Sequence, residues 1–151
     1  LVNTHNPIID AILNQKGYAA REQDIDLHFE INDLSEVAIP SVDLTVVMSN
    51  LLDNAIEACV SEQPEDPTVT VSIRVTEDYL LTKVRNPTRK GSGILEKGFP
   101  TTKGDRTLHG KGTGIVRSIV KKHGGSIRYN VQDGHFLVEF ILDLKEETNH
   151  A

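Results

Sequence analysis

Asn50 and Asn54 stand four residues apart in a stretch whose apolar residues recur at helical spacing. Four residues is just over one helical turn, so both carboxamides project from the same side. Asparagine is a mediocre helix former, and two aligned in mid-helix invite a role beyond propensity. A neutral amide oxygen can ligate Mg²⁺, an ion that prefers all-oxygen sites near phosphates. Glu57 and Ser61 continue the same face. A solvated polar face has the same spacing, so spacing alone leaves both readings open.

A second constellation lies at residues 109–115, which read HGKGTGI and lead into another apolar-periodic run. Gly110, Gly112 and Gly114 permit backbone conformations closed to other residues and let amides approach a ligand closely. With a helix starting at Ile115, its unpaired N–H groups and the positive end of its dipole converge on that segment. Such a junction suits a phosphate; a flexible connector is the alternative. Two other glycine motifs fail. A P-loop needs four residues between its first Gly and Gly-Lys, with Ser or Thr next. Here five separate Gly104 from Gly110, and Gly112 follows Lys111. A dinucleotide fingerprint follows a strand and has another spacing.

The charge pattern agrees with an anion site in this region. The 151 residues carry a net charge of -6, yet ten Lys and Arg between Arg85 and Gly125 face only Glu96 and Asp105. That stretch is locally +8 and the remainder -14. Nucleic acid is disfavoured, because aromatic residues do not interleave the basic ones and the rest of the surface repels a polyanion. With 38% hydrophobic and 25% charged residues the composition is that of a soluble globular domain. No apolar run is long enough to span a bilayer, and Leu1 to Ile9 lacks a secretory signal. One cysteine, Cys59, favours a cytosolic setting. The absence of an initiator Met suggests a piece of a longer protein.

The elements that position these residues follow from periodicity. A helix is expected from Pro7 to about Glu22, with Ile8, Ile9, Ile12, Leu13 and Ala20 near helical spacing. Asp24 to Ile31 alternates as a half-buried strand. Ser41, after Pro40, is a plausible N-cap for the helix of the two asparagines, which runs to about Ser61. Leu44, Val47, Met48, Leu51, Ala55 and Ala58 should face its core. Thr68–Val75 and Tyr79–Val84 form a hairpin, as do Ser126–Val131 and Phe136–Leu142 around Asp133-Gly134. Asn86 to about Thr113 shows no sustained period and is expected as a long loop, functional or disordered. A helix then runs from Ile115 to His123, with Ile115, Ile119 and Val120 inward and Gly124-Gly125 as its stop.

The words themselves add a resemblance. Residues 49–58, SNLLDNAIEA, closely resemble the asparagine box of the GHKL ATPases, which include gyrase, heat-shock chaperones, histidine kinases and MutL. The resemblance implies that Asn54 holds the Mg²⁺ bridging the nucleotide phosphates. Hydrolysing members usually carry a water-activating glutamate one turn earlier; here that position is Asn50, which accepts no proton at physiological pH. In this the chain resembles histidine kinases. Asp53 and Glu57 would polarise water only if they pointed into the pocket. HGKGTGI and the following IVRSIVKKHGGS resemble the second glycine box of those kinases. FPTTKG, residues 99–104, is similar to their ATP-lid element, which makes Lys103 a mobile phosphate contact with Thr101 and Thr102 beside it.

One box departs from the pattern. The aspartate that bonds the adenine amino group in most members is replaced by Asn86, in Arg85-Asn86-Pro87, and GSGI at residues 91–94 stands where displaced glycines would. This resembles the peptide-sensing, quorum-type kinases of Gram-positive bacteria, as does NPIIDAILN at residues 6–14. The resemblance implies the Bergerat fold, an α/β two-layer sandwich with a mixed sheet, helices on one face and a long ATP lid at about 86–113.

The expected layout is a lead-in helix over residues 1–22, a catalytic domain over 23–145 and a tail over 146–151. The implied function is the ATP-binding catalytic domain of a two-component sensor histidine kinase. It would use ATP and Mg²⁺ and donate the γ-phosphoryl to a histidine upstream of Leu1. His123 reads as a helix-end cation and His28 as an ordinary strand residue. The implied nucleotide set is Asn50, Asn54, Glu57, Asn86, Thr102, Lys103, Gly110, Lys111, Gly112, Thr113 and Gly114. Implied partners are the upstream dimerisation and phosphoacceptor helices and, indirectly, a response regulator, with a membrane only through a sensor region. The implied location is cytoplasmic. Rival readings are an anti-sigma-type serine kinase, a MutL-like hydrolase, and a degenerate module acting as a protein-interaction platform.

Overall fold

The computed structural model describes residues 2–89, 93–95 and 106–144, with side chains for 2–89 and 114–144. Three helices and six strands follow in the order α1 (Pro7–Glu22), β1 (Asp26–Ile31), α2 (Ser41–Glu62), β2 (Thr68–Val75), β3 (Tyr79–Pro87), β4 (Gly93–Leu95), α3 (Arg106–Lys122), β5 (Ser126–Gln132) and β6 (His135–Asp143). The strands form one sheet in the order β1-β2-β3-β6-β5-β4. β1 and β2 run parallel and every other pair is antiparallel, so the sheet is mixed as expected.

Alternation along the strands assigns the two faces. Val69, Val71 and Ile73 of β2, Leu80 and Val84 of β3, and Phe136, Val138, Phe140 and Leu142 of β6 are buried on one side. The other side carries Arg74, Lys83, Arg85 and Arg128 into solvent. Helices cover only the apolar face, which gives the two-layer α/β sandwich. Val71, Val84, Val138 and Tyr129 stand in one row across four strands, at the centre of the core.

Local chemistry fixes the helix ends. Asn6 caps α1, its Oδ1 accepting from Ile9 N at 3.2 Å, and Pro7 follows at the first helical position. Ile9, Leu13 and Ala20 are buried, whereas Ile8 is 49% exposed and lies outside the face expected for it. The expected cap at Ser41 also differs: Pro40 occupies the cap position without a side-chain bond, and Ser41 is already helical. Leu44, Val47, Met48, Leu51, Leu52, Ala55 and Cys59 of α2 are buried.

At the end of α3, Gly125 N donates to Val120 O at 2.9 Å and Gly124 N to Lys121 O at 3.0 Å, a Schellman motif with Gly124 at φ 65°. A Cβ on Gly125 would stand 1.9 Å from Ile141 O, so only glycine fits there. Asp133 and Gly134 both have positive φ, 52° and 75°, the signature of the type I′ turn joining β5 to β6.

Two differences from the expected elements fall between Asn86 and Thr113. β4 pairs Gly93, Ile94 and Leu95 with Val131, Asn130 and Tyr129 inside a segment expected to be loop. Three residues are too few to show a period. α3 begins at Arg106 rather than Ile115 and therefore includes Gly110, Gly112 and Gly114. Each glycine in a helix costs roughly 1 kcal/mol relative to alanine, which weakens a helix without forbidding it. The inward set of α3 shifts as well. Val116 and Val120 are buried while Ile115 is 49% exposed.

Candidate functional site: a polar stripe on α2 and the exit of β3

Asn50 and Asn54 are half-buried on α2, one turn apart. Asn50 Nδ2 donates back to Val46 O at 2.7 Å, which leaves its Oδ1 outward-bonding. Among the described residues nothing hydrogen-bonds the Asn54 side chain. A half-buried amide without such a partner bonds only water and is free to accept a ligand. Its neutral oxygen suits Mg²⁺, which takes few protein ligands and completes its shell with phosphate and water oxygens. The described residues contain no cluster of three or more His, Cys, Asp or Glu able to hold a metal.

Beyond Asn54 the half-buried side of α2 runs through Ala58, expected to face the core, to Glu62, eight residues and roughly 12 Å on. Glu57 and Ser61, expected to continue the asparagine face, are exposed. Glu62 meets the chain as it leaves β3. Its Oε1 accepts the Arg89 amide at 2.8 Å, and both carboxylate oxygens accept the Thr88 hydroxyl, at 3.2 and 3.1 Å. Thr88 N donates to Gly134 O at 2.9 Å. These bonds fix the backbone immediately after Asn86-Pro87.

Asn86 is 2% exposed and points to the helix-covered face of β3, in register with Phe136 of β6. Its Nδ2 donates to Pro87 O at 2.9 Å. The orientation leaves Oδ1 as the atom able to accept an N–H from a ligand. A carboxylate at the same depth would carry a large desolvation cost without a paired cation. The amide avoids it.

Of the two carboxylates weighed as water activators, Asp53 is turned to α1. Asp53 Oδ1 is paired with Lys16 Nζ of α1 at 2.7 Å, and Glu57 is exposed. Burial pushes the Cys59 thiol up to about 11, helped by the nearby Glu62 charge, so it is not a nucleophile near neutrality. His123, expected as a helix-end cation, follows the last residue of α3, is 8% exposed and is bonded through Nε2 to Asp43 at 2.7 Å. That bond, ahead of the Lys122 ammonium, holds the Asp43 carboxyl below the usual carboxylate range.

The glycine segment is arranged differently from the expected junction. With α3 starting at Arg106, Gly110–Gly114 lie within the helix, where i−4 carbonyls take the amides, and no helix N-terminus faces a ligand at Ile115. A Cβ on Gly114 would meet nothing within 4 Å, so neither packing nor φ requires glycine there. Thr101, Thr102 and Lys103, and the side chains of Lys111 and Thr113, lie outside the described residues. A cavity of about 680 Å³ between α1 and β1, lined by Leu13, Gly17, Tyr18, Leu27 and Phe29 among others, touches none of the site residues. Glu62 and Asp43 were not singled out from sequence. A glutamate ending a helix and an aspartate in a first turn look like ordinary solvated charges until the fold brings Thr88 and His123 to them.

Set against known proteins, this geometry has clear relatives. The family model described as the GHKL domain matches residues 39–143. The chain is 32% identical to the sensor histidine kinase ZraS of Escherichia coli K12, across 85% of this chain and 28% of that protein. It is 28% identical to a probable C4-dicarboxylate sensor kinase of Bacillus subtilis, across 97% of this chain and 29% of that protein. The structure superposes on the catalytic domain of histidine kinase ThkA with a TM-score of 0.72 at 25% identity, covering 93% of this chain and 95% of that one.

The chain belongs to the GHKL domain family. Within it, the chain is an ATP-binding catalytic domain of the sensor histidine kinase class. It spans about a quarter of the length of the curated relatives it matches. Among the described residues no helix is long and apolar enough to cross a membrane.

Proposed function

We propose that this domain binds ATP with Mg²⁺ and presents the γ-phosphoryl to a histidine on a separate helix of the same protein. The observation that carries the reading is the Asn54 carboxamide, half-buried and unbonded among the described residues, one turn from Asn50 on the side of α2 that ends at the Glu62 latch. Bound there, Mg²⁺ would neutralise charge on the phosphate oxygens. Asn54 holds the metal through its oxygen. Asn50 adds a second amide that polarises without taking a proton, which favours transfer over hydrolysis. The Lys16 pairing of Asp53 and the exposure of Glu57 support the same preference.

Asn86 reads the adenine amino group through Oδ1, beside the backbone that Glu62 ties down at Thr88 and Arg89. Gly110, Gly112 and Gly114, with Lys103, Thr102, Lys111 and Thr113, contact the phosphates. For the glycines this requires the first turns of α3 to unwind so that their amides turn outward. That Gly114 has no packing reason to be glycine supports this role. Catalysis comes mainly from positioning and charge neutralisation. The wider setting follows from this reading. The domain would work beside dimerisation and phosphoacceptor helices, feed a response regulator, and lie on the cytoplasmic side of a membrane-anchored sensor. The Asn86-Pro87 pair supports a place near the quorum-type branch.

A calorimetric titration with a non-hydrolysable ATP analogue and Mg²⁺ tests the reading. Saturable binding supports it. No heat of binding up to millimolar nucleotide contradicts it and leaves a degenerate GHKL module acting as an interaction platform.

A further inference from the structure

At the end of the helix pair opposite the proposed site lies a cluster that the chemistry above does not use. His123, the residue that follows α3, is buried and bonded through Nε2 to Asp43 Oδ2 in the first turn of α2, at 2.7 Å. Lys122 Nζ reaches the same oxygen from solvent at 3.2 Å. The His123 carbonyl accepts Asp143 N of β6 at 3.1 Å. The cluster therefore joins two helices to the sheet, next to the Schellman turn and the glycine that admits no Cβ.

A half-buried carboxylate with a buried imidazole is a weak device for stability alone, since apolar residues of similar volume often do as well. What a short directional bond adds is register. The apolar contacts between α2 and α3 tolerate sliding; a 2.7 Å hydrogen bond does not. Counting from this fixed point, Asn50 and Asn54 lie seven and eleven residues along α2, roughly 10 and 16 Å. Counting back along α3, Gly114 and Gly112 lie nine and eleven residues from His123, roughly 14 and 16 Å. The two helices pack on each other, so the asparagines and the glycines stand at matching distances from one pinned corner.

We propose that Asp43 and His123 are positioning residues that hold α3 in register with α2, so that Asn54 and the Gly110–Gly114 segment meet one nucleotide. The proposal rests on the nucleotide reading above. It separates the two ends of α3: the His123 end is fixed to α2 and the sheet, while the glycine end is free to rearrange around a ligand.

The test uses His123→Leu, His123→Gln and Lys122→Ala in the whole chain. Two quantities are read: affinity for the Mg²⁺-bound, non-hydrolysable ATP analogue, and amide exchange across residues 114–122 without nucleotide. His123→Leu should weaken binding about tenfold and speed exchange in α3, while β3 and β6 stay protected. His123→Gln, whose amide nitrogen reaches the place of Nε2, should restore affinity to within about threefold and slow α3 exchange again. Lys122→Ala should match the parent in both. Parent-like binding and parent-like α3 exchange in a folded His123→Leu protein would overturn the proposal, as would a glutamine variant no better than leucine. Absence of nucleotide binding by the parent would fell the nucleotide reading instead; the exchange comparison then still decides whether the pair holds α3.

Discussion

The carboxylate of Glu62 accepts the Thr88 hydroxyl through both oxygens, at 3.2 and 3.1 Å, and so ties the last turn of α2 to the chain leaving β3. The bond spans 26 residues of sequence and fixes the backbone beside Asn86. Replacing Glu62 by alanine removes three charge-assisted contacts and should lower stability by about 1–3 kcal/mol. Nucleotide affinity should fall further than stability predicts, because the backbone beside Asn86 loses its tie. Parallel thermal melts and titrations of Glu62→Ala check this, and unchanged affinity would show that the latch serves the fold alone.

Asp53 gives the opposite expectation. Its pairing with Lys16 is half-exposed, and such pairs contribute about 0–1 kcal/mol. Asp53→Asn should leave both nucleotide binding and any slow ATP turnover at the parent level. A turnover rate that vanished in this variant would revive the hydrolase reading.

Gly125→Ala tests the corner where α3 meets the sheet. The added Cβ would stand 1.9 Å from a backbone oxygen that cannot move without disturbing β6. We expect a loss of about 3 kcal/mol or more, seen as a melting temperature lower by roughly 6–12 °C at this chain length. A shift of only a degree or two would mean that the β6 backbone yields.

The acid limb of stability should report Asp43. Its folded carboxyl is held below the usual range, first by the His123 hydrogen bond and then by Lys122. A depressed acid stabilises the fold above its unfolded pKa, and the contribution is lost as pH falls through the lower folded value. The parent should therefore lose stability from about pH 4 downward. Asp33, held at about 2 chiefly by the Ser35 backbone N–H, titrates in the same sense at an exposed position. Melts between pH 6 and pH 3 should show a shallower decline for Asp43→Asn than for the parent; equal slopes would contradict the assignment.

Much of this architecture was legible before any coordinates. The helix of α2 and the β2–β3 and β5–β6 hairpins carry clean periods, and the Asp133-Gly134 pair names its own turn type. The asparagine stripe was legible for the same reason: i to i+4 spacing is local. What escaped was long-range or too short. Glu62 and Asp43 acquire meaning only through partners 26 and 80 residues away. β4 has three residues and α3 runs through glycines that read as a loop, because composition argues against a helix there while backbone hydrogen bonding permits one. Ile8 and Ile115 satisfy the helical pattern yet face outward, since more apolar residues lie near each stripe than the stripe can bury.

The central claim is that Asn54 binds the metal of a metal-bound nucleotide, and one calorimetric comparison addresses it directly. The parent and Asn54→Ala are titrated with a non-hydrolysable ATP analogue, each with Mg²⁺ and with chelator. The account predicts that Mg²⁺ tightens binding by the parent and that the variant loses at least about tenfold of affinity with Mg²⁺ present. With chelator the two should bind alike. Equal affinity of parent and variant in the presence of Mg²⁺ would contradict it.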